Sequence, residues 1–361
     1  MDISLCMIVK NEEDTIARCI NSVKDIVDEI IIVDTGSTDN TLKILKNLNI
    51  VPYRFEWIND FSAARNFSFS KATKDYILWL DADDVLNPDD IELFKNLKNT
   101  LTPDIDAVSM NYVLTTNEQG EVIHSMRRNR LVKNSRKFKW VGFIHEYLEV
   151  YGNIIHSNIS IIHKKIKPYS NRNLLIYQDL INKGHYLSPR DEFYYANELY
   201  DNEKYDKAII QYEKFLSTNQ GWIEDIKYAL YKIADCYLYK NDRENEINTL
   251  FRAFKYDTPR SDFCCRLGSI FFENNNLDAA IFWYNCALEV APNENYMGIL
   301  SKDTYTFIPW VQLCVCYYKK GDINKSYLCN EKAALYHPNH PAVLYNKEFF
   351  SNSTNLNHNL F

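Results

Sequence analysis

A repeat in the second half of the chain constrains the fold more than any other feature. One register reads Leu267, Gly268, Phe271, Ala280, Tyr284, Ala287 and Pro292. Another follows the same offsets through Trp310, Leu313, Cys314, Tyr317, Ser326, Asn330, Ala333 and Pro338. Two weaker copies read Tyr195, Ala196, Leu199, Ala208, Tyr212, Phe215 and then Ile233, Ala234, Tyr237, Glu246, Leu250, Ala253. Helix–turn–helix units of this kind run about 34 residues, with small residues where the two helices approach closely. One such unit cannot bury its apolar face alone, and four exceed the roughly three that a stacked array needs. Residues 169–350 are therefore expected to form an all-α array of helical hairpins, with 351–361 as a disordered tail. An irregular helical bundle is the alternative, and the shared offsets argue against it. With 9 Gly and 10 Pro in 361 residues, the chain has little material for long flexible linkers.

The first 168 residues follow another rule. Short apolar runs at 3–9, 29–33, 51–55 and 76–80 read as strands, and helical patterns at 12–23, around Ile44, Leu45 and Leu48, and at 62–71 alternate with them. Strand and helix in alternation imply a mainly parallel sheet covered on both faces. Ligands of such sheets bind beyond the carboxyl ends of the strands. The polar clusters of this chain fall at those ends.

Four clusters have the composition for chemistry. Residues 34–41 (DTGSTDNT) put the carboxylate of Asp34 at a strand's end, where it can accept hydrogen bonds from a nucleobase; an ordinary capped strand-to-helix turn is the plainer reading. Asp81, Asp83 and Asp84 crowd three carboxylates together after an apolar strand, which is costly unless a cation or hydrogen-bond donors compensate. Mg²⁺ and Mn²⁺ prefer such oxygens and share their shell with substrate phosphates. Arg65 and Asn66 offer donors, or line a solvated helix face. Trp140, Gly142, His145 and Glu146 close the domain, with His163 downstream at the end of an apolar run. Two histidines and a carboxylate in a domain that already holds an acid cluster suit metal binding or acid–base work.

The strings at 4–13 (SLCMIVKNEE), 33–39 (VDTGSTD), 60–66 (DFSAARN) and 81–84 (DADD) stand in an order and spacing that resemble family 2 glycosyltransferases. The strings around His145 and His163, followed by the repeats, are similar to a bacterial branch that carries tetratricopeptide repeats, as in peptide S-glycosyltransferases of glycocin biosynthesis. The resemblance implies an α/β GT-A, Rossmann-like domain over 1–168. It implies inverting transfer of a hexose or N-acetylhexosamine from a UDP-sugar to an acceptor, a peptide or protein side chain (Cys or Ser/Thr). It further implies that Asp34 binds the base with Leu5 near it. Glu12, Arg65, Asp81 and Ala82 would serve the nucleotide sugar, and Asp83 and His163 would hold Mg²⁺ or Mn²⁺. Glu146, with His145 beside it, would supply the catalytic base, and Trp140 and Gly142 would face the acceptor. The sequence departs from the family pattern at Asp84, where relatives often carry Glu, and at His145-Glu146, where many carry a Glu-Asp pair. Two rivals stay open: a transferase acting on a glycan or lipid-linked glycan, and a non-catalytic repeat scaffold.

Bulk properties exclude other classes. A net charge of −7 gives no reason to expect nucleic acid. No apolar stretch approaches the roughly 20 residues of a transmembrane helix. The 9 cysteines are an odd number without C-x-x-C pairs, which fits free thiols and a cytoplasmic protein. The repeats are expected to bind the acceptor or to pair two copies as a homodimer.

Overall fold

A computed structural model describes residues 1–116, 120, 122–166, 171–290 and 300–352. The chain divides into two compact units, with the first break between Glu198 and Leu199 and with Leu300 returning to the first unit.

The first unit opens with β1 (Ile3–Val9), α1 (Ile16–Val23), β2 (Glu29–Asp34), α2 (Thr41–Asn47), β3 (Tyr53–Arg54), α3 (Phe61–Lys71) and β4 (Tyr76–Trp79). It continues with β5 (Asp84–Val85), α4 (Pro88–Thr100), β6 (Ala107–Thr116), β7 (Val122–Lys133), β8 (Lys139–Val141), β9 (Tyr147–Glu149) and β10 (Ile154–His163). Helix α5 (Arg172–Asn182) and all but the last turn of α6 (Pro189–Asp201) follow. The main sheet runs β3-β2-β1-β4-β7-β6-β10-β5. Its first four strands are parallel, as expected. Beyond them it is mixed: β7 runs antiparallel to both β4 and β6, while β10 is parallel to β6. The reason is that β6 and β7 form one long hairpin, and strands joined by a short link must oppose each other.

Strand β1 is buried on both faces, which is why it reads as an unbroken apolar run. Leu5 and Met7 pack with Ile16, Ile20, Ile32, Leu78 and Phe94 on one side; Cys6 packs with Ile31, Ile77, Trp79 and Trp140 on the other. Helix α1 starts at Ile16, later than its periodicity suggests, because Asn11 takes a left-handed backbone (φ 57°) and the amides of Thr15 and Ile16 close a turn on the Glu12 carbonyl.

The first unit runs well past residue 168, the boundary expected from the loss of strand signals. Ile176, Tyr177 and Leu180 of α5 are buried with Ile144 and Leu187, and Trp57, Phe61, Phe143, Tyr194 and Tyr195 pack against them. Helix is the local state of these residues, but their apolar partners belong to the transferase-like unit.

The second unit contains α7 (Tyr205–Ser217), α8 (Ile223–Tyr239), α9 (Arg243–Arg252), α10 (Ser261–Glu273), α11 (Leu277–Glu289), α12 (Phe307–Lys319), α13 (Ile323–Ala334) and α14 (Pro341–Asn352). Local chemistry sets each hairpin. Asn241, Asn275 and Gly321 take the left-handed conformation that ends a helix, and the side chain of the next residue (Asp242, Asn276 or Asp322) accepts the amide of the third residue of the following one. The small positions of the repeat recur twelve residues apart, as in Ala234 and Glu246, Gly268 and Ala280, Cys314 and Ser326. Glu246 breaks the pattern; fully buried, it is held by Arg243 at 2.8 Å and Arg266 at 2.7 Å. Pro292 and residues 353–361 lie outside the described residues; Ser351 and Asn352, expected in the tail, belong to α14.

Candidate functional site

Parallel strands β1, β2 and β4 end at one edge of the sheet and deliver the candidate residues there. Asp34 closes β2. Its carboxylate accepts the amides of Gly36 and Ser37 at 3.1 Å, so the turn reading of this motif is correct as far as it goes. The 34–41 loop is tied to the loop after β1: the Thr38 amide donates to the Asn11 side chain at 2.7 Å, and the Glu12 amide to the Thr41 hydroxyl at 2.7 Å. The Glu12 carboxylate accepts the Thr15 hydroxyl at 2.8 Å. Leu5 and Ala82 are buried, Leu5 within the core.

Arg65 is fixed from four directions. Asp60 caps α3 by accepting the Ala63 amide at 2.9 Å, and one turn on Arg65 reaches back over the sheet edge. Its Nη2 donates to Asp81 at 2.6 Å and its Nε to Glu146 at 2.5 Å. The guanidinium lies 5.3 Å from the ring of Trp79 and 4.7 Å from that of Trp140. Burial works against the charge on Asp81, but Arg65 and then Arg130 outweigh it and hold that carboxyl below the usual range.

A second cluster lies beside the first. After β4 the chain turns, with the Asp84 amide on the Asp81 carbonyl, and enters β5, which pairs antiparallel with β10 so that Asp84 faces His163. This pairing joins Asp83, Asp84 and His163, whose ligand atoms lie within 4.8 Å of one another. His163 Nδ1 is 3.5 Å from each carboxylate and 2.9 Å from the Tyr112 hydroxyl. The carboxylates of Asp83 and Asp84 beside it push the imidazole pKa up to about 9. Asp84 and Arg130 are a fully buried ion pair at 3.1 Å, and Asp84 Oδ2 also accepts the Asp81 amide at 3.0 Å. Oδ1 of Asp84 is buried and has no hydrogen-bond partner. An orphaned carboxylate oxygen beside a second carboxylate and an imidazole is a donor set that fits Mg²⁺ or Mn²⁺.

Asp84, Tyr112 and Arg130 were not among the metal-site residues expected from the sequence. Asp84 had a signal in the carboxylate crowding; Tyr112 and Arg130 lie on strands whose register only the fold reveals.

Two expectations are corrected. Trp140 offers no ring face to an acceptor, being only 3 % exposed and packed edge-on against Trp79 at 4.6 Å. His145 is engaged elsewhere: its Nε2 is 2.9 Å from Glu198, and its ring stacks on Tyr194 at 4.2 Å. Gly142 (φ 104°) begins the same loop, between β8 and β9, in a conformation that favours glycine.

Comparisons with known proteins agree with this architecture. Residues 4–151 match the model of glycosyl transferase family 2, and residues 261–294 match a tetratricopeptide repeat. Residues 4–151 thus carry a family 2 glycosyltransferase domain, and residues 261–294 a tetratricopeptide repeat. A TPR repeat-containing protein of Synechococcus elongatus is 37% identical over 147 residues, covering 41% of this chain and 35% of that protein. The SPbeta prophage-derived glycosyltransferase SunS of Bacillus subtilis is 30% identical over 233 residues, covering 58% of this chain and 53% of SunS. An uncharacterized glycosyltransferase of Rickettsia typhi is 44% identical over 85 residues, 24% of this chain and 29% of its own. The chain thus spans about a third to a half of the length of the first two relatives. Among the described residues, no helix is long and apolar enough to cross a membrane.

Proposed function

We propose that the amino-terminal unit transfers a hexose or N-acetylhexosamine from a UDP-sugar, with inversion, to the side chain of a peptide or protein, at Cys or Ser/Thr. The observation that carries this reading is the cluster of Asp83, Asp84 and His163 at the carboxyl edge of a family 2 glycosyltransferase domain. A divalent cation held by these three residues would supply positive charge to the departing diphosphate. Asp34, at the end of β2, is suited to accept the imide hydrogen of uracil, which adenine lacks. Arg65, charged and clamped between Asp81 and Glu146, offers a fixed donor beside the nucleotide. Glu146 is the carboxylate we assign to the acceptor's proton, one residue beyond the clamped His145. The repeats support a peptide or protein acceptor because such arrays present extended surfaces to chains of that kind. Pairing of two copies through the repeats belongs to the same reading. So does a cytoplasmic location, which the nine free thiols support.

Release of the nucleoside diphosphate (UDP or ADP) from a panel of UDP- and ADP-sugars, with Mn²⁺ and again with EDTA, tests the proposal. Release from UDP-sugars alone, abolished by EDTA, is expected. A thermal shift with UDP and Mn²⁺ adds a second reading, since ligand at about 100 times its dissociation constant stabilises by roughly 2.7 kcal/mol. No release and no shift would leave the repeat scaffold as the function. Transfer to a glycan in place of a peptide would reassign the acceptor.

A further inference from the structure

His145 and Glu146 are adjacent in the β8–β9 loop, yet their side chains go to different places. Glu146 pairs with Arg65 of α3, and His145 with Glu198 of α6. His145 has φ 51°, a left-handed backbone that non-glycine residues adopt only when their surroundings hold them there.

The surroundings are specific. The His145 carbonyl accepts from Arg190 twice, from Nε at 3.3 Å and Nη2 at 3.2 Å. The ring lies nearly parallel to Tyr194, at 10° between planes. Glu198 Oε1, on a side chain only 3 % exposed, is shared between His145 Nε2 at 2.9 Å and Asn173 Nδ2 at 3.0 Å. The other side of the loop is tied to α3, which carries Arg65. The Phe61 amide donates to the Phe143 carbonyl at 2.9 Å, and Asn66 exchanges two hydrogen bonds with the Trp140 backbone.

We infer that His145 is a positioning residue: clamped by Arg190, Tyr194 and Glu198, it holds the left-handed turn that aims Glu146 at Arg65. A ring whose Nε2 is committed to a buried carboxylate is placed to fix a backbone. The kinetic arm of this inference rests on the transferase reading above; the stability arm does not.

The test compares His145→Gly, His145→Asn and His145→Ala in the full chain. All three lose the clamped ring, so all turn over more slowly than the parent. Glycine takes the left-handed backbone without strain and asparagine does so readily, whereas alanine resists it by a margin worth about five- to thirty-fold. Turnover should therefore fall in the order parent, Gly and Asn, Ala, with the KM for the donor, the Mn²⁺ affinity and the shape of the pH–rate profile unchanged. The midpoint of urea unfolding should be lower for Ala than for Gly. If Gly and Asn were as inactive as Ala while all three bound UDP normally, or if a limb of the pH profile vanished with the imidazole, His145 would be acting chemically and the inference would fail. If the parent itself transferred no sugar, the transferase reading would fall and the unfolding order would decide alone: Ala as stable as Gly would overturn the clamp.

Discussion

Asp83 and Asp84 share a turn, yet their carboxylates live in different media. The Asp83 side chain is 22 % exposed, and that of Asp84 is 0 % exposed and neutralised by Arg130. Asp83→Ala should cost little stability, since surface changes usually fall within about 0.5 kcal/mol. Asp84→Asn should cost about 3–5 kcal/mol, because it strands a buried guanidinium. Both should abolish Mn²⁺-dependent UDP binding. Urea melts and Mn²⁺ titrations separate the two effects, and Asp83→Ala that still bound UDP with Mn²⁺ like the parent would refute the metal assignment. Glu146 carries the second residue-scale prediction. Glu146→Gln should lower the transfer rate by at least about 100-fold, the low end for a general base, with UDP affinity nearly unchanged. A rate within a few-fold of the parent would move the base elsewhere, and a fall in UDP affinity would trace the effect to Arg65. A thiol acceptor should soften the loss, because a thiol of pKa near 8.5 is already partly ionised.

Among the elements, the hairpin of α10 and α11 brings its two helices close together. A Cβ on Gly268 would meet the ring of Tyr284 at 2.7 Å, and that ring is itself buried. Overpacking costs about 1–3 kcal/mol, against roughly 1 kcal/mol that alanine gains over glycine in helix propensity. Gly268→Ala should therefore lower or barely change stability despite the better helix former. A clear rise in the urea midpoint would show that the two helices separate freely. The start of β6 gives a pH-dependent element. Arg136 donates twice to Asp106 at 2.6 Å and the Asn153 amide once at 2.9 Å, and these bonds, Arg136 first, pull the Asp106 pKa down to about 2. The folded value lies below the unfolded value of about 3.9. The contribution is therefore complete above pH about 4 and is lost as the pH falls toward 2. Asp106→Asn should be less stable than the parent at pH 7 and lose less between pH 4 and 2. Parallel stability curves over that range would refute the pairing.

At the scale of the whole molecule, the boundary of the catalytic unit is the testable point. A fragment ending at residue 168 discards Ile176, Tyr177 and Leu180, exposing Ile144 and the aromatic residues packed there. It also discards Arg190 and Glu198, which hold the loop of Glu146. A fragment of residues 1–201 should fold and bind UDP with Mn²⁺, and a fragment of 1–168 should do neither. Near-ultraviolet circular dichroism and UDP titration of the two decide it. Equal behaviour would return the boundary to 168.

What the sequence determined by itself is local. The four hairpins were legible because small residues recur at fixed offsets where paired helices must approach closely. Strands β1 and β4 were legible because burial on both faces writes an unbroken apolar run. Asp81, Asp83 and Asp84 announced a site because like charges that crowd together need a partner. Tertiary structure decided which distant residues meet. The pairing of β5 with β10 brings His163 to Asp84, the reversed strand β7 brings Arg130, and the packing of α5 moves the domain boundary. The same helix-bearing segment draws His145 to Glu198, and the aromatic core swallows Trp140. None of these follows from periodicity or composition. A period tells a residue which face it is on, whereas its partner is set by the register of strands and by which apolar surfaces the rest of the chain leaves uncovered.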